Sequence, residues 1–247
     1  MKAMFLIAGR GRRLRPYTDT QPKCMVPLHG EPLLSTALHM VARVGIDRAV
    51  LVVGHMEDVI RAHYGERFAG VELTYVSNPD YATTNNLYTM WLAREQLDED
   101  LILLEGDLRY DVEILQRLVD HPAENVAVVD GFRPPMNGTV ILPSPTREGW
   151  AQRMVLGKDQ GEGFPHAKSL KTVNLYKLGA DLLKRAFVPA LDAAVRGERT
   201  GDYYEAVLAQ LVDEGATELA FSHVDAYRWA EVDDEQDLRF ALELFQP

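Results

Sequence analysis

Four short apolar runs, "KAMFLIA" (2–8), "RAVLVVG" (48–54), "VELTYV" (71–76) and "LILLEGD" (101–107), alternate with stretches whose apolar residues recur at helical spacing. No other feature narrows the fold as much. An unbroken apolar run of strand length must be covered on both faces, and parallel strands need a crossover long enough to hold a helix. The alternation therefore predicts βαβ units in a doubly wound, mostly parallel α/β sheet. Between the first two runs, Leu33, Leu34, Ala37, Leu38, Val41 and Ala42 share one helical face, with Pro32 near the start and Gly45 past the end. "EDVIRAHYG" reads as a short helix closed by Gly65, and a third helix is expected from about 87 to 97 after the turn-rich "SNPDYATTNN".

The second half is less regular. "NVAVVDGF", "GTVIL" and "KTVNLYKL" read as strands around the polar, glycine-rich "GKDQGEGFPHAK". Helices follow near 180–195 and 203–213, then a strand near 218–224 and a last helix near 235–245. No linker, repeat or low-complexity segment interrupts the chain, so 247 residues with 47% apolar content are expected to form one domain over 1–247.

The formal net charge of −11 argues against a sequence-independent nucleic-acid binder, which needs a basic face to displace counterions. Cys24 is the single cysteine, no apolar stretch approaches the ~18 to 20 residues of a membrane span, and the N-terminus lacks a signal-peptide cleavage pattern. The expectation is a soluble cytoplasmic protein bound to neither membrane nor nucleic acid. The seven histidines form no cluster with ligand spacing, so a structural zinc is not expected.

Against that acidic background, "LIAGRGRRLRPYTDTQPK" (6–23) gathers two glycines and five cations directly after the first strand. A dinucleotide fingerprint would place a third glycine where Leu14 stands, and the Gly-Lys-Ser/Thr string of a P-loop is absent. The glycines could simply turn the chain and the arginines be solvated. In open α/β sheets, however, ligands bind beyond the carboxyl ends of the strands, which would set the Gly9–Lys23 loop and Asp107 across one cleft.

The full pattern is Ala8-Gly9-x-Gly11-x-Arg13-Leu14, seven residues, then Pro22-Lys23. It is followed in order by "TNNLYTMWLA" (84–93), Gly106-Asp107, "KTVNLYKL" (171–178), "YYEAVL" (203–208) and "WAEVDDEQDL" (229–238). This series resembles the nucleotidyltransferases that join a nucleoside triphosphate to a phosphorylated small molecule. It is most similar to the cytidylyltransferase branch acting on phosphocholine or small phosphonates such as 2-aminoethylphosphonate. The resemblance implies a Rossmann-like nucleotidyltransferase fold with a smaller acceptor-binding insertion, CTP as donor and Mg2+ as cofactor. One position departs from the pattern: Arg12 stands where the family usually has Ser or Thr.

The residues can be set against that chemistry. A phosphate or phosphonate oxygen is already largely ionised at neutral pH, so in-line attack on the α-phosphorus needs positioning and charge stabilisation more than a base. Ala8, Gly9 and Gly11 would bring backbone N–H groups to the triphosphate. Arg13 supplies a planar fork and Lys23 a compact charge. By resemblance, Asp107 and Asp233 would hold the metal; Asp234 is a rival that could instead cap the last helix. Asn78, Thr84 and Asn85 are the candidates for the base, although the asparagines could equally serve Asx-turns and a helix cap. Lys171 is the candidate for the acceptor's phosphate or phosphonate. Tyr203, Glu205, Trp229 and Glu231 could line a site for an ammonium group, against the bland alternative that such aromatics belong to the core. Two other readings stay open: a sugar-1-phosphate nucleotidyltransferase, and a non-catalytic nucleotide-binding module of the same fold.

Overall fold

The computed structural model describes residues 1–246. The four predicted runs form adjacent parallel strands: β1 (Lys2–Leu6), β2 (Arg48–Val53), β3 (Val71–Ser77) and β4 (Leu101–Glu105). β1 sits between β2 and β4, with Phe5 opposite Leu51 on one side and Leu104 on the other. Alternate residues of these strands enter two different cores. Phe5, Leu51 and Leu104 belong to one, Met4, Val52 and Leu103 to the other. This is why the runs are apolar throughout: both faces are covered.

The first face carries α1 (Leu33–Arg43), α2 (Glu57–Tyr64) and α4 (Val112–Asp120). The opposite face carries α3 (Asn86–Leu92), the helical run α5 (Ala180–Leu182, π-helical Leu183–Phe187, Val188–Arg196) and α6 (Glu205–Asp213). Pro189, at the start of the last segment of α5, has no N–H to donate back into the preceding turn, which accounts for the π-helical register there. α4 is absent from the sequence reading, although Ile114, Leu115 and Leu118 bury a helical face.

The second half extends the same sheet. β5 (Leu108–Tyr110) is followed by β6 (Val126–Gly131), β7 (Val140–Pro143), β8 (Ala151–Val155), β9 (Leu170–Leu178), β10 (Ala220–His223) and β11 (Trp229–Glu231). The sheet runs β8-β7-β9-β4-β1-β2-β3, ends in the two-residue strand Arg67–Phe68, and carries β6 beside β9 and β10 beside β6, while β5 and β11 pair as a separate two-stranded sheet. The long β9 joins the two halves by pairing antiparallel to β4, β6 and β7. Between Thr172 and Tyr176 its register against β6 shifts, and Asn174 adopts a left-handed conformation with φ 59°. That bulge re-aims this part of β9 at the carboxyl end of β4. A third, smaller core of Leu14, Val26, Leu28, Leu33, Val232 and Leu238 lies beneath the glycine loop and α7 (Glu235–Leu244). Among the described residues no helix is long and apolar enough to cross a membrane.

Candidate active site

Beyond the carboxyl ends of β1 and β4 lies a cavity of about 930 Å³. Its walls come from the loop after β1, the loop before α3, the Glu105–Asp107 corner, the bulge of β9, the start of α6 and the end of β11. The first wall depends on Gly11. Its φ of 59° is left-handed, and a Cβ there would stand 2.8 Å from Lys23 Cβ. Thr18 Oγ1 donates to Gly11 O at 2.9 Å and Leu14 N to the same carbonyl at 3.0 Å, closing the turn. Gly106 is equally constrained, since a Cβ would collide with Ile7 Cγ2 and so separate β1 from the β4 corner.

Lys23 is the hub. Its ammonium donates to Asp107 Oδ2 and to Asp233 Oδ1, both at 2.6 Å, and Arg13 Nη2 holds Asp233 Oδ2 at 2.8 Å. Residues 84 and 210 positions away meet here because Val232 N donates to Asp107 O at 2.9 Å, pinning the end of β11 to the β4 corner. Burial opposes the charged lysine, but Asp107 and Asp233 outweigh it and raise its pKa. Burial likewise disfavours ionised Asp233, yet Lys23 and Arg13 hold its carboxyl below the ordinary range. Asp234 is not free for a metal: it caps α7 in a capping box, accepting from Gln236 N and Asp237 N.

Asp107 Oδ1 is buried without a partner, while oxygens of Glu105, Asp107 and Glu231 lie within 4.8 Å of one another. An orphaned carboxylate oxygen in such a set fits a hard divalent cation. The geometry thus draws the donor set around Asp107 toward Glu105 and Glu231, with Asp233 joined through Lys23. Glu231 is pushed up to about 7 by burial, Lys171 opposing and Asp107 reinforcing the shift.

Ala8, Gly9, Gly11, Arg13, Lys23, Thr84, Asn85, Asp107, Lys171, Tyr203, Glu205, Glu231 and Asp233 all line the cavity. Asn78 does not. It is buried; its amide donates to the Thr84 and Thr89 hydroxyls, and its Oδ1 accepts from Asp80 N, so it shapes the loop instead of facing a base. Asn85 caps α3, accepting from Asn86 N at 2.8 Å, and donates to Gly201 O. Trp229 is also outside the cavity: its indole N–H donates to Asp130 Oδ2 at 2.8 Å and its ring packs on the core. An aromatic cage of Tyr203 with Trp229 is therefore not assembled. Tyr204 is core, edge-on to Tyr176 at 6.0 Å.

Lys171 is buried in the far wall, its ammonium on the Thr172 carbonyl and packed against Gly138. Glu205, also buried, accepts from Tyr176 Oη at 2.8 Å; burial pushes its carboxyl up although that hydroxyl and Lys171 oppose it. The sequence singles out Arg12 only as a departure from the family pattern and gives no signal that selects Asn86, Phe132, Lys158 or His166; these and Asn174 also line the cavity. Phe132 and His166 stack at 4.3 Å across two loops. Asn174 carried a usable signal, since asparagine is depleted inside strands unless the strand is interrupted.

Known proteins sort this architecture. The chain is 36% identical over its whole length to the CMP-5'-(3-aminopropyl)phosphonate synthase of Streptomyces rubellomurinus, of which it spans 39%. It is 33% identical over 121 residues, 45% of this chain and 50% of the relative, to the choline-phosphate cytidylyltransferase of Streptococcus pneumoniae. The chain thus spans half or less of the length of these curated relatives. Among solved structures, the CTP:phosphocholine cytidylyltransferase of Streptococcus pneumoniae superposes with a TM-score of 0.78 at 22% identity, covering 99% of each chain. A UDP-glucose pyrophosphorylase complexed with UDP-glucose gives 0.79 at 15% identity over 98% of this chain and 97% of that one. Residues 3–214, which carry the glycine loop, the β4 corner and the far wall around Lys171 and Glu205, match one family throughout, and the chain belongs to the MobA-like NTP transferase domains.

Proposed function

We propose that this chain is a CTP-dependent cytidylyltransferase that transfers CMP to a small phosphonate or phosphorylated amino alcohol. The observation that carries the reading is the division of one cavity into two ends. One end has the glycine loop with Arg13 and Lys23 beside Asp107 and Asp233; the other has the buried Lys171 facing Glu205 and Glu231. The chain's similarity to a CMP-5'-(3-aminopropyl)phosphonate synthase and a choline-phosphate cytidylyltransferase supports the same donor and acceptor class.

In this reading an anionic oxygen of the acceptor forms a new bond to the α-phosphorus as the bond to the β-phosphate oxygen breaks and pyrophosphate leaves with the electron pair. No proton needs to be removed from an already ionised oxygen. Backbone N–H groups at Gly9 and Gly11, the Arg13 fork and the Lys23 charge bind the polyphosphate. Thr84 and Asn85 offer hydrogen-bonding groups to the base, and Lys171 holds the acceptor's anionic end. Mg2+ bound at Asp107, with Asp233 or the neighbouring glutamates, would neutralise charge on the triphosphate oxygens.

The test is pyrophosphate release with CTP and Mg2+ against 2-aminoethylphosphonate, 2-hydroxyethylphosphonate, phosphocholine, phosphoethanolamine and glucose-1-phosphate, with the product identified by phosphorus NMR. A CMP adduct of a phosphonate or phosphorylated amino alcohol at the highest kcat/KM is the expected outcome. Preference for glucose-1-phosphate would replace the acceptor class with a sugar phosphate. Absence of turnover with every donor and acceptor would leave a nucleotide-binding module.

A further inference from the structure

Lys171 is a buried cation that no acid touches. Lys23 and Arg13 are tied to Asp107 and Asp233, whereas the Lys171 ammonium makes no ion pair among the described residues and rests on the Thr172 carbonyl. A buried charge in that state is costly to hold and meets an arriving anion readily. What keeps it in place is the segment before β7.

β7 enters the sheet between β8 and β9, with Val140 opposite Val155 on one side and Lys171 on the other. Just upstream, Gly138 has a φ of 99°, in the region that favours glycine, and a Cβ there would stand 3.3 Å from Lys171 Cε and 3.4 Å from Nζ. Gly157, past the end of β8, packs on that glycine in turn: its own Cβ would lie 3.3 Å from Gly138 Cα. Gly157, Gly138 and the lysine tip therefore stack with little room for a methyl group between them.

The Val140–Val155 pair ends the β7–β8 ladder here, and a side chain continues it. Gln160 Nε2 donates to Gly138 O at 2.8 Å and to Val155 O at 3.1 Å. Two carbonyl oxygens need two hydrogens, which the amide nitrogen has and a carboxylate or a hydrocarbon lacks. The neighbouring Thr139 is pinned from the β9 side, its carbonyl accepting from Thr172 N at 3.1 Å and Thr172 Oγ1 at 3.0 Å. Between them, Gln160 and Thr172 fix the 138–139 backbone against the ammonium, and Gly138, Gly157, Gln160 and Lys171 all line the cavity.

We propose that Gln160 is a positioning residue for the acceptor: by stapling the turn after β8 to Gly138, it holds the Lys171 ammonium where it meets the acceptor's anionic group. Gln160 acts through Lys171 and not by touching the acceptor. This rests on the proposed transfer to an anionic acceptor and names what presents the cation to it.

The test is a double-mutant cycle of Gln160→Met and Lys171→Met, since methionine preserves much of each stem and removes the donors. Affinities for 2-aminoethylphosphonate, phosphocholine and glucose-1-phosphate are measured by calorimetry with a non-hydrolysable CTP analogue present, and KM values by two-substrate kinetics with CTP and Mg2+. For the tightest of the three, Gln160→Met should weaken binding about tenfold, raise that compound's KM alike and leave the KM for CTP unchanged. In the Lys171→Met background the same change should cost less than about twofold, because the group it positions is gone. Gly138→Ala crowds the same ammonium with Gln160 intact; it should repeat the pattern and serves if Gln160→Met folds poorly. Equal losses in both backgrounds, parallel rises in both KM values, or a wild type that binds none of the three anions would overturn the inference. Non-additive loss in a protein that binds an anion but transfers no CMP would keep it and defeat the cytidylyl reading, whereas additive loss in a protein that does transfer CMP would defeat this inference alone.

Discussion

Replacing Lys23 with methionine keeps the stem of the side chain and removes its charge, leaving Asp107 and Asp233 facing each other across the site. Each contact is 2.6 Å long. At an effective dielectric of about 20, one such contact corresponds to roughly 6 kcal/mol of gross attraction, most of it offset by desolvation. Breaking a buried pair by deleting one partner typically costs about 3 to 5 kcal/mol. Lys23 is 16% exposed and its partners 15% and 25%, so water can enter, and the lower figure applies, about 3 kcal/mol. For a chain of this size that corresponds to a fall in Tm of roughly 6 to 12 °C. The linkage sign follows from the two shifts. Lys23 is raised, so its contribution is complete below the ordinary lysine pKa and is lost as pH climbs through the raised value; Asp233 is depressed, so its contribution is present above the ordinary aspartate pKa and is lost on acidification. The full deficit is therefore expected across the neutral range. Scanning calorimetry at pH 7.5 in EDTA measures it, and the same scan with Mg2+ should restore the variant more than the wild type, because its two carboxylates are left without the lysine. A fall below about 2 °C, or no difference in the Mg2+ response, would refute the view that Lys23 is the charge that holds these acids together in the resting site.

Asp107→Asn and Asp233→Asn should each reduce pyrophosphate release to background while leaving the far-UV spectrum intact; near-normal turnover in either would remove that residue from the site. Arg13→Ala should raise the KM for CTP more than it lowers kcat, whereas Lys171→Met should raise the acceptor's KM and leave that of CTP alone, a contrast read directly from two-substrate kinetics. Gly11→Ala should depress kcat/KM for CTP severely, because the left-handed turn and the close approach to Lys23 both exclude a methyl group, and an unaffected KM would argue that the loop does not meet the nucleotide. Tyr176→Phe should destabilise the fold progressively more as pH rises. The Glu205 carboxyl is already pushed up by burial, so ionising it costs stability above the ordinary glutamate pKa, and loss of the hydroxyl donor increases that cost; a pH-independent difference in Tm between variant and wild type would contradict this.

Much of this architecture is legible in the sequence. The runs at 2–8, 48–54, 71–76 and 101–107 are apolar on both alternating faces, and a segment of that kind has one stable setting, the interior of a parallel sheet. The glycine loop with its cations, and Asp107 at a strand end, follow from short-range pattern and from the rule that ligands sit at the carboxyl edge. α4 escaped the reading even though its apolar residues keep helical spacing, and β8 did so because its Gln152 and Arg153 point to solvent at the sheet edge.

Residue identity determined which chemistry the chain has available: a Gly-Arg-Lys loop, paired acids and a lysine in a strand, all readable because local propensity and spacing act over a few residues. Tertiary structure alone decided which groups meet. Lys23 reaches Asp233 only because β11 returns to the β4 corner through the Val232 to Asp107 hydrogen bond. Asn78 was turned inward by the hydroxyls of Thr84 and Thr89, Trp229 was claimed by Asp130, and Glu105 was left among three other acids. Partners distant in sequence, such as Lys23 with Asp233 or Trp229 with Asp130, are set by how the sheet orders its strands, and that order is a property of the packed chain, not of any window along it.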